Sequence, residues 1–182
     1  MMKKLLLTVI LLMMIAAPVS AQLPPTPYLA LFEDDVRSDW CVNGPGFVTM
    51  YLFALPTSDG VKCAELSISV TGDGAGALMW TAPTFHPDVA EPVMGAVPGE
   101  MGVCFTNCQN DWIYFYSVAI MVGDANASRV EIGAYGVSPY PKVLNCIEEE
   151  PEAIVYNHFY INDCGPTAVE ESSWGAIKDL YE

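Results

Sequence analysis

The sequence predicts an all-β chain folded as an antiparallel β-sandwich with a short C-terminal helix, and three observations predict it. Runs rich in Val, Ile, Tyr and Phe recur at fairly regular spacing. Turns rich in Gly, Pro and Asp separate them. The clearest run, Val61 to Val70, alternates with period two. Ala64, Leu66, Ile68 and Val70 share one face; Cys63, Glu65, Ser67 and Ser69 share the other. A strand with one wet face reads this way, and several such strands between turn signals form a sandwich.

Residues 1–21, MMKKLLLTVILLMMIAAPVSA, predict a secretory signal peptide. Lys3 and Lys4 precede an apolar run from Leu5 to Ala17, and Val19-Ser20-Ala21 is a small-residue cleavage site. That run is short for a bilayer span, and no later apolar run approaches about 20 residues. The expectation is export, a mature chain from Gln22, and a location in the medium or at the cell surface.

Residues 22–45 read as an extended lead-in, with Pro-rich 22–30 and a charged turn at 33–39. The sandwich is expected over 46–164. Residues 47–53 predict a strand, 56–60 a turn, and 61–70 the second arm of an antiparallel hairpin. A flexible turn at 71–76 leads to a short strand at 77–80. Pro83, Pro87, Pro92 and Pro98 make 82–100 an irregular crossover. Residues 112–122, WIYFYSVAIMV, predict a central strand buried on both faces. Further strands are expected at 129–135, 142–146 and 153–162, with an acidic turn at 148–152. In the tail, 165–182, Thr167 and Glu170 form a capping box, and Trp174, Ile177 and Tyr181 fall on one helical face.

Removing residues 1–21 from 182 leaves 161, enough for one domain with a real core. The chain carries 7 Lys+Arg against 22 Asp+Glu, a net charge of −15. Loss of Lys3 and Lys4 takes the mature chain to about −17. Such a chain repels phosphate backbones and anionic membrane surfaces, which excludes nucleic-acid binding as its function.

Six cysteines, Cys41, Cys63, Cys104, Cys108, Cys146 and Cys164, all follow the cleavage site. An even count in an exported chain predicts three disulfides among 15 connectivities. Zinc is disfavoured: the one close pair is C-x3-C at 104–108, and His86 and His158 lie far from it in sequence. Sequence locality favours Cys41–Cys63, Cys104–Cys108 and Cys146–Cys164.

No catalytic constellation is legible. His86 sits in the Pro-rich crossover and His158 in a strand, and no serine occupies a G-x-S-x-G elbow. These positions predict a surface His and a sheet-face His. Calcium is the one candidate cofactor, through Asp34, Asp35 and Asp39, or Asp73, Asp124 and Glu148–Glu150 at turns. No stretch matches an EF-hand loop. Tyr114, Tyr116, Tyr156 and Tyr160 would form a sugar-stacking strip if exposed, and core pairs if not. Asn126-Ala127-Ser128 is a glycosylation sequon, expected to be unused.

The 46–70 hairpin with Val61-x-x-Ala64-Glu65-Leu66-Ser67-Ile68-Ser69-Val70, followed by the 112–122 strand, resembles cohesin-like or immunoglobulin-like bacterial surface domains. Cohesins bind dockerin modules, and typically lack cysteines such as these. Length, scattered cysteines and the ending Trp174-Gly175-x-Ile177-Lys178-x-Leu180-Tyr181 are similar to uncharacterised secreted bacterial proteins. The resemblance implies a sandwich without a known activity. The expected function is a non-enzymatic binding or structural module for a protein or glycan ligand. A carbohydrate-binding accessory domain and a small secreted hydrolase are the alternatives. Trp174, Ile177 and Tyr181 either dock on the domain or serve as a recognition signal.

Overall fold

The computed structural model describes residues 23–90, 94–95 and 97–164. The signal peptide and the tail helix expected from the sequence lie outside the described residues. Among the described residues, thirteen strands form two sheets. The first sheet contains β1 (Tyr28–Phe32), β3 (Gly46–Leu55), β5 (Leu78–Trp80), β6 (Thr84–Phe85), β9 (Ile113–Val122) and β12 (Ile154–Val155). Its order is β12-β1-β3-β9-β5, with β6 also on β9. The second contains β2 (Cys41–Val42), β4 (Val61–Thr71), β7 (Met94–Gly95), β8 (Gly99–Gln109), β10 (Ser128–Gly133), β11 (Lys142–Leu144) and β13 (Phe159–Ile161). Its order is β2-β13-β10-β4-β8-β7, with β11 also on β4.

Pairing is antiparallel throughout except for β1 with β12 and β13 with β2. The core lies between the sheets. Leu29 and Leu31 of β1, Met50 and Leu52 of β3, and Val118 and Ile120 of β9 meet Leu66, Ile68, Val103 and Phe105 of the second sheet. Phe105 and Phe115 stack across the interface with ring centroids 4.6 Å apart. The alternation predicted for β4 is observed, with Ala64, Leu66 and Ile68 at 2% exposure or less.

Four expectations are corrected. Residues 46–70 are not a hairpin: β3 pairs with β1 and β9, and β4 pairs with β8, β10 and β11. The turn at 56–60 instead carries the chain from one sheet to the other. Gly60 there has φ +73°, and an added Cβ would lie 2.5 Å from the Cys146 Sγ. Residues 28–32 are a core strand inside the region read as a lead-in, because Leu29, Ala30 and Leu31 are fully buried. Residues 153–162 are two strands rather than one, since β12 joins the first sheet and β13 the second. Finally, β9 is central but buried on one face only: Val118, Ile120 and Val122 are buried, whereas Ser117, Ala119 and Met121 are half-exposed.

The favoured disulfide pairing is also overturned. The bonds are Cys41–Cys164, Cys63–Cys104 and Cys108–Cys146. Cys104 and Cys108 both lie on β8. Four strand residues span about 13 Å, far beyond the reach of a disulfide. Cys63 and Cys104 instead face each other across the β4–β8 ladder, with Cα atoms 4.0 Å apart.

Candidate functional site

The charges of the strands are segregated. No Lys, Arg, Asp or Glu occurs in β1, β3, β5, β6, β9 or β12, so the first sheet is uncharged. Lys62, Glu65, Glu100, Arg129, Glu131 and Lys142 all belong to the second. A sheet face turned to water normally alternates apolar-in with polar-out. The outer face of the first sheet does not.

That face is built by the odd positions of β3 and their partners. Phe47 stands opposite Met121 of β9, and Met79 of β5 stands on the far side of Met121. Phe47 is 74% exposed and Met79 56%. Thr49 opposes Ala119, and Tyr51 lies between Ser117 and Phe32. A bulge then makes Phe115 an extra residue, so Phe53 pairs with Tyr114. The bulge turns Phe115 inward and sets Tyr114 and Trp112 on the outer face.

From Tyr51 onward the face becomes an aromatic net. Ala30, Phe32 and Phe53 form its buried floor, with Trp40, Tyr51, Trp112, Tyr114 and Tyr156 packed against it. Most ring contacts are edge-to-face: Tyr51–Tyr114 at 5.3 Å, Phe32–Phe53 at 5.7 Å and Phe53–Tyr114 at 5.8 Å. His86 joins the net through Tyr114, with centroids 4.7 Å apart.

Residues 33–39 close one end of this net. The Asp34 carboxylate accepts from the Val36 and Ser38 amides at 3.1 and 2.9 Å, and from the Ser38 hydroxyl. The Ser38 bonds hold its pKa below the usual carboxylate value. Arg37, at φ +62°, lays its guanidinium over Trp112 and Phe53, 5.2 and 5.6 Å from their centroids. Burial raises the Glu33 pKa, and Asp39 and Asp34 add to the rise. Burial likewise raises the Tyr51 phenol, with Asp35 next in effect.

The residues singled out from the sequence scatter. Tyr114 and Tyr156 reach the outer face, but Tyr116 is fully buried in the core and Tyr160 lies on the second sheet. The four tyrosines therefore form no strip, and Tyr51 and Trp112 take the missing places. His86 Nδ1 accepts from the Asp88 amide at 3.2 Å. His158 keeps a buried Nδ1 without a hydrogen bond among the described residues, and burial, with Arg129 behind it, lowers its pKa. The candidate calcium acids are turn formers: Asp39 accepts from the Cys41 amide and Asp124 from Asn126. They assemble no group of three metal-ligating side chains among the described residues. Asn126 of the sequon is exposed, whereas Ser128 is 2% exposed. A hollow of about 120 Å³ on the second sheet lies over the Cys63–Cys104 bond, where Lys142 pairs with Glu150 at 3.3 Å. Trp174, Ile177 and Tyr181 lie outside the described residues.

No protein-family model matches the sequence, and no curated protein matches it significantly. Solved structures do match. A cohesin module from a Clostridium perfringens family 33 glycoside hydrolase has a TM-score of 0.55 at 12% identity, covering 75% of this chain and 97% of that one. A non-cellulosomal cohesin from the hyperthermophilic archaeon Archaeoglobus fulgidus gives 0.51 at 9% identity, covering 82% and 97%. The sandwich is cohesin-like. A chain of the CaDoc0917–CaCohA2 complex also matches, with a TM-score of 0.54 at 12% identity, covering 75% and 98%. The cohesin-like core here carries three disulfides and no helix long and apolar enough to cross a membrane among the described residues.

Proposed function

We propose that this chain is an exported, non-enzymatic binding module that takes a protein partner on the uncharged outer face of its first sheet. The charge segregation carries the reading. In a chain of net charge −15, six strands hold no charged residue, and Phe47 and Met79 stand exposed on them. Contiguous exposed apolar surface of this kind marks interaction sites. The matching chain of the CaDoc0917–CaCohA2 complex is a fold-mate held by another protein. Export rests on residues 1–21 and on three disulfides, which persist in oxidising compartments. Trp174, Ile177 and Tyr181 are proposed as a recognition signal for sorting or anchoring the exported chain.

Benzoylphenylalanine placed at Thr49 tests the face, with Glu65 on the second sheet as the control. A discrete protein adduct at Thr49 and none at Glu65 supports the reading; equal yields, or none, reject it. The aromatic net favours one other reading, a carbohydrate-binding accessory domain stacking sugars on Tyr51, Trp112 and Tyr114. Glycan-array binding abolished by Tyr114→Ala would favour it.

A further inference from the structure

The outer face of the first sheet has a shape and a charge rim that select among protein partners. Phe47 to Tyr51 spans about 13 Å along β3, which matches about 9 helical residues, and ends against the aromatic net. The apolar ridge runs over β3 and β9, with Met79 widening it at one end. Neighbouring strands lie about 4.8 Å apart, so two or three of them carry one helix of about 10 Å diameter.

The rim is acidic and unneutralised. Glu33, Asp34 and Asp35 follow Phe32 directly in sequence, Asp39 closes the same loop, and Phe32 pairs with Tyr51. None of the four makes a salt bridge with a basic side chain among the described residues. The one cation of the loop, Arg37, is turned onto Trp112 and Phe53. Asp111 precedes Trp112, and Asp124 lies two residues past Val122 at the Phe47 end. A second copy of this chain would bring the same acids against these, so like charges oppose self-stacking.

We propose that the occupant is a cationic amphipathic helix, its apolar stripe lying along β3 and β9 and its flanking Lys or Arg facing the acidic loop 33–39. This rests on the first sheet being the binding face. Helix-in-groove recognition reads apolar anchors at i, i+3, i+4 and i+7, and a charged rim adds on-rate and specificity.

The probe is an 18-residue peptide with Leu and Phe at those positions and Lys flanks, titrated into the full exported chain and followed by calorimetry. A peptide with Glu flanks is the control. The Lys peptide should bind at least about tenfold tighter than the Glu peptide. Joint Phe47→Ser and Met79→Ser should weaken it by about tenfold or more, and Asp35→Lys by about threefold, with the loss growing at low salt. Glu65→Lys should leave it unchanged. Equal binding of both peptides, or none, overturns the proposal. If neither peptide binds while the Thr49 adduct persists, the face stands and the cationic helix falls. If Glu65→Lys weakens the Lys peptide as much as Asp35→Lys does, the attraction is net charge alone and the proposal falls. A dimer in sedimentation that Phe47→Ser disperses replaces the helix with a second copy.

Discussion

Asn157 does the work of a strand that is not there. β12 pairs with Tyr28 and Leu29 and then ends. The Asn157 side chain continues the ladder: its Oδ1 accepts from the Leu31 amide at 2.7 Å and its Nδ2 donates to the Leu31 carbonyl at 2.8 Å. Both backbone groups belong to a residue with 0% exposure. Asn157→Leu should therefore lower unfolding stability by about 2–4 kcal/mol in denaturant titration, since two buried groups lose their partners. Tyr116 is the opposite case. Its buried hydroxyl has no hydrogen-bond partner among the described residues, and burial raises its pKa far above the usual phenol value. Tyr116→Phe should stabilise the chain by about 1 kcal/mol in the same assay. Neither role was legible from sequence. An Asn after a β-rich run reads as a turn residue, and the alternation of 112–122 does not reveal that the bulge at Phe115 sends Tyr114 outward while Tyr116 stays inward.

At the scale of elements, strong period-two patterns and aromatic runs mark their strands in the sequence. β3, β4, β5, β9, β10 and β11 all stand within a few residues of expectation. The misses share a cause. Which strand pairs with which depends on contacts remote in sequence, and proximity along the chain misled twice, in the 46–70 hairpin and in the disulfides. β8 is not legible in the sequence although Met101, Val103 and Phe105 alternate inward, because two glycines and the neighbouring prolines dilute the pattern. Peptide mapping of the non-reduced protein should give Cys41–Cys164, Cys63–Cys104 and Cys108–Cys146 and no other pairing. Joint Cys41→Ser and Cys164→Ser should cost about 4–5 kcal/mol by chain entropy, because their separation is 123 residues.

Over the whole molecule, charge is distributed unevenly between the two sheets. The sequence shows the acidic excess plainly, but not that the strands divide it so unevenly. That division appears only once β1, β3, β9 and β12 are assembled into one sheet. The acidic loop beside that sheet should leave a pH signature. The Glu33 pKa is raised by burial, Asp39 and Asp34, so its folded value exceeds its unfolded one. Its stabilising contribution is present below the unfolded value and is lost as pH rises through the folded value. Glu33→Gln should raise the melting temperature slightly at neutral pH. The gain should vanish well below the ordinary value of 4.5, where the carboxyl is protonated in both states.

The Cys41–Cys164 bond also sets a mechanical route through the protein. Tension that enters beyond Cys164 and leaves before Tyr28 crosses directly to Cys41 and bypasses everything between. Most of the sandwich, including β3, β9 and the face they build, is then shielded from load. Pulled by its ends in a single-molecule experiment, the oxidised protein should lack an extension of about 400–440 Å that appears after reduction, the length of 123 residues at full stretch. The uncharged outer face of the first sheet then stays folded while the chain bears load.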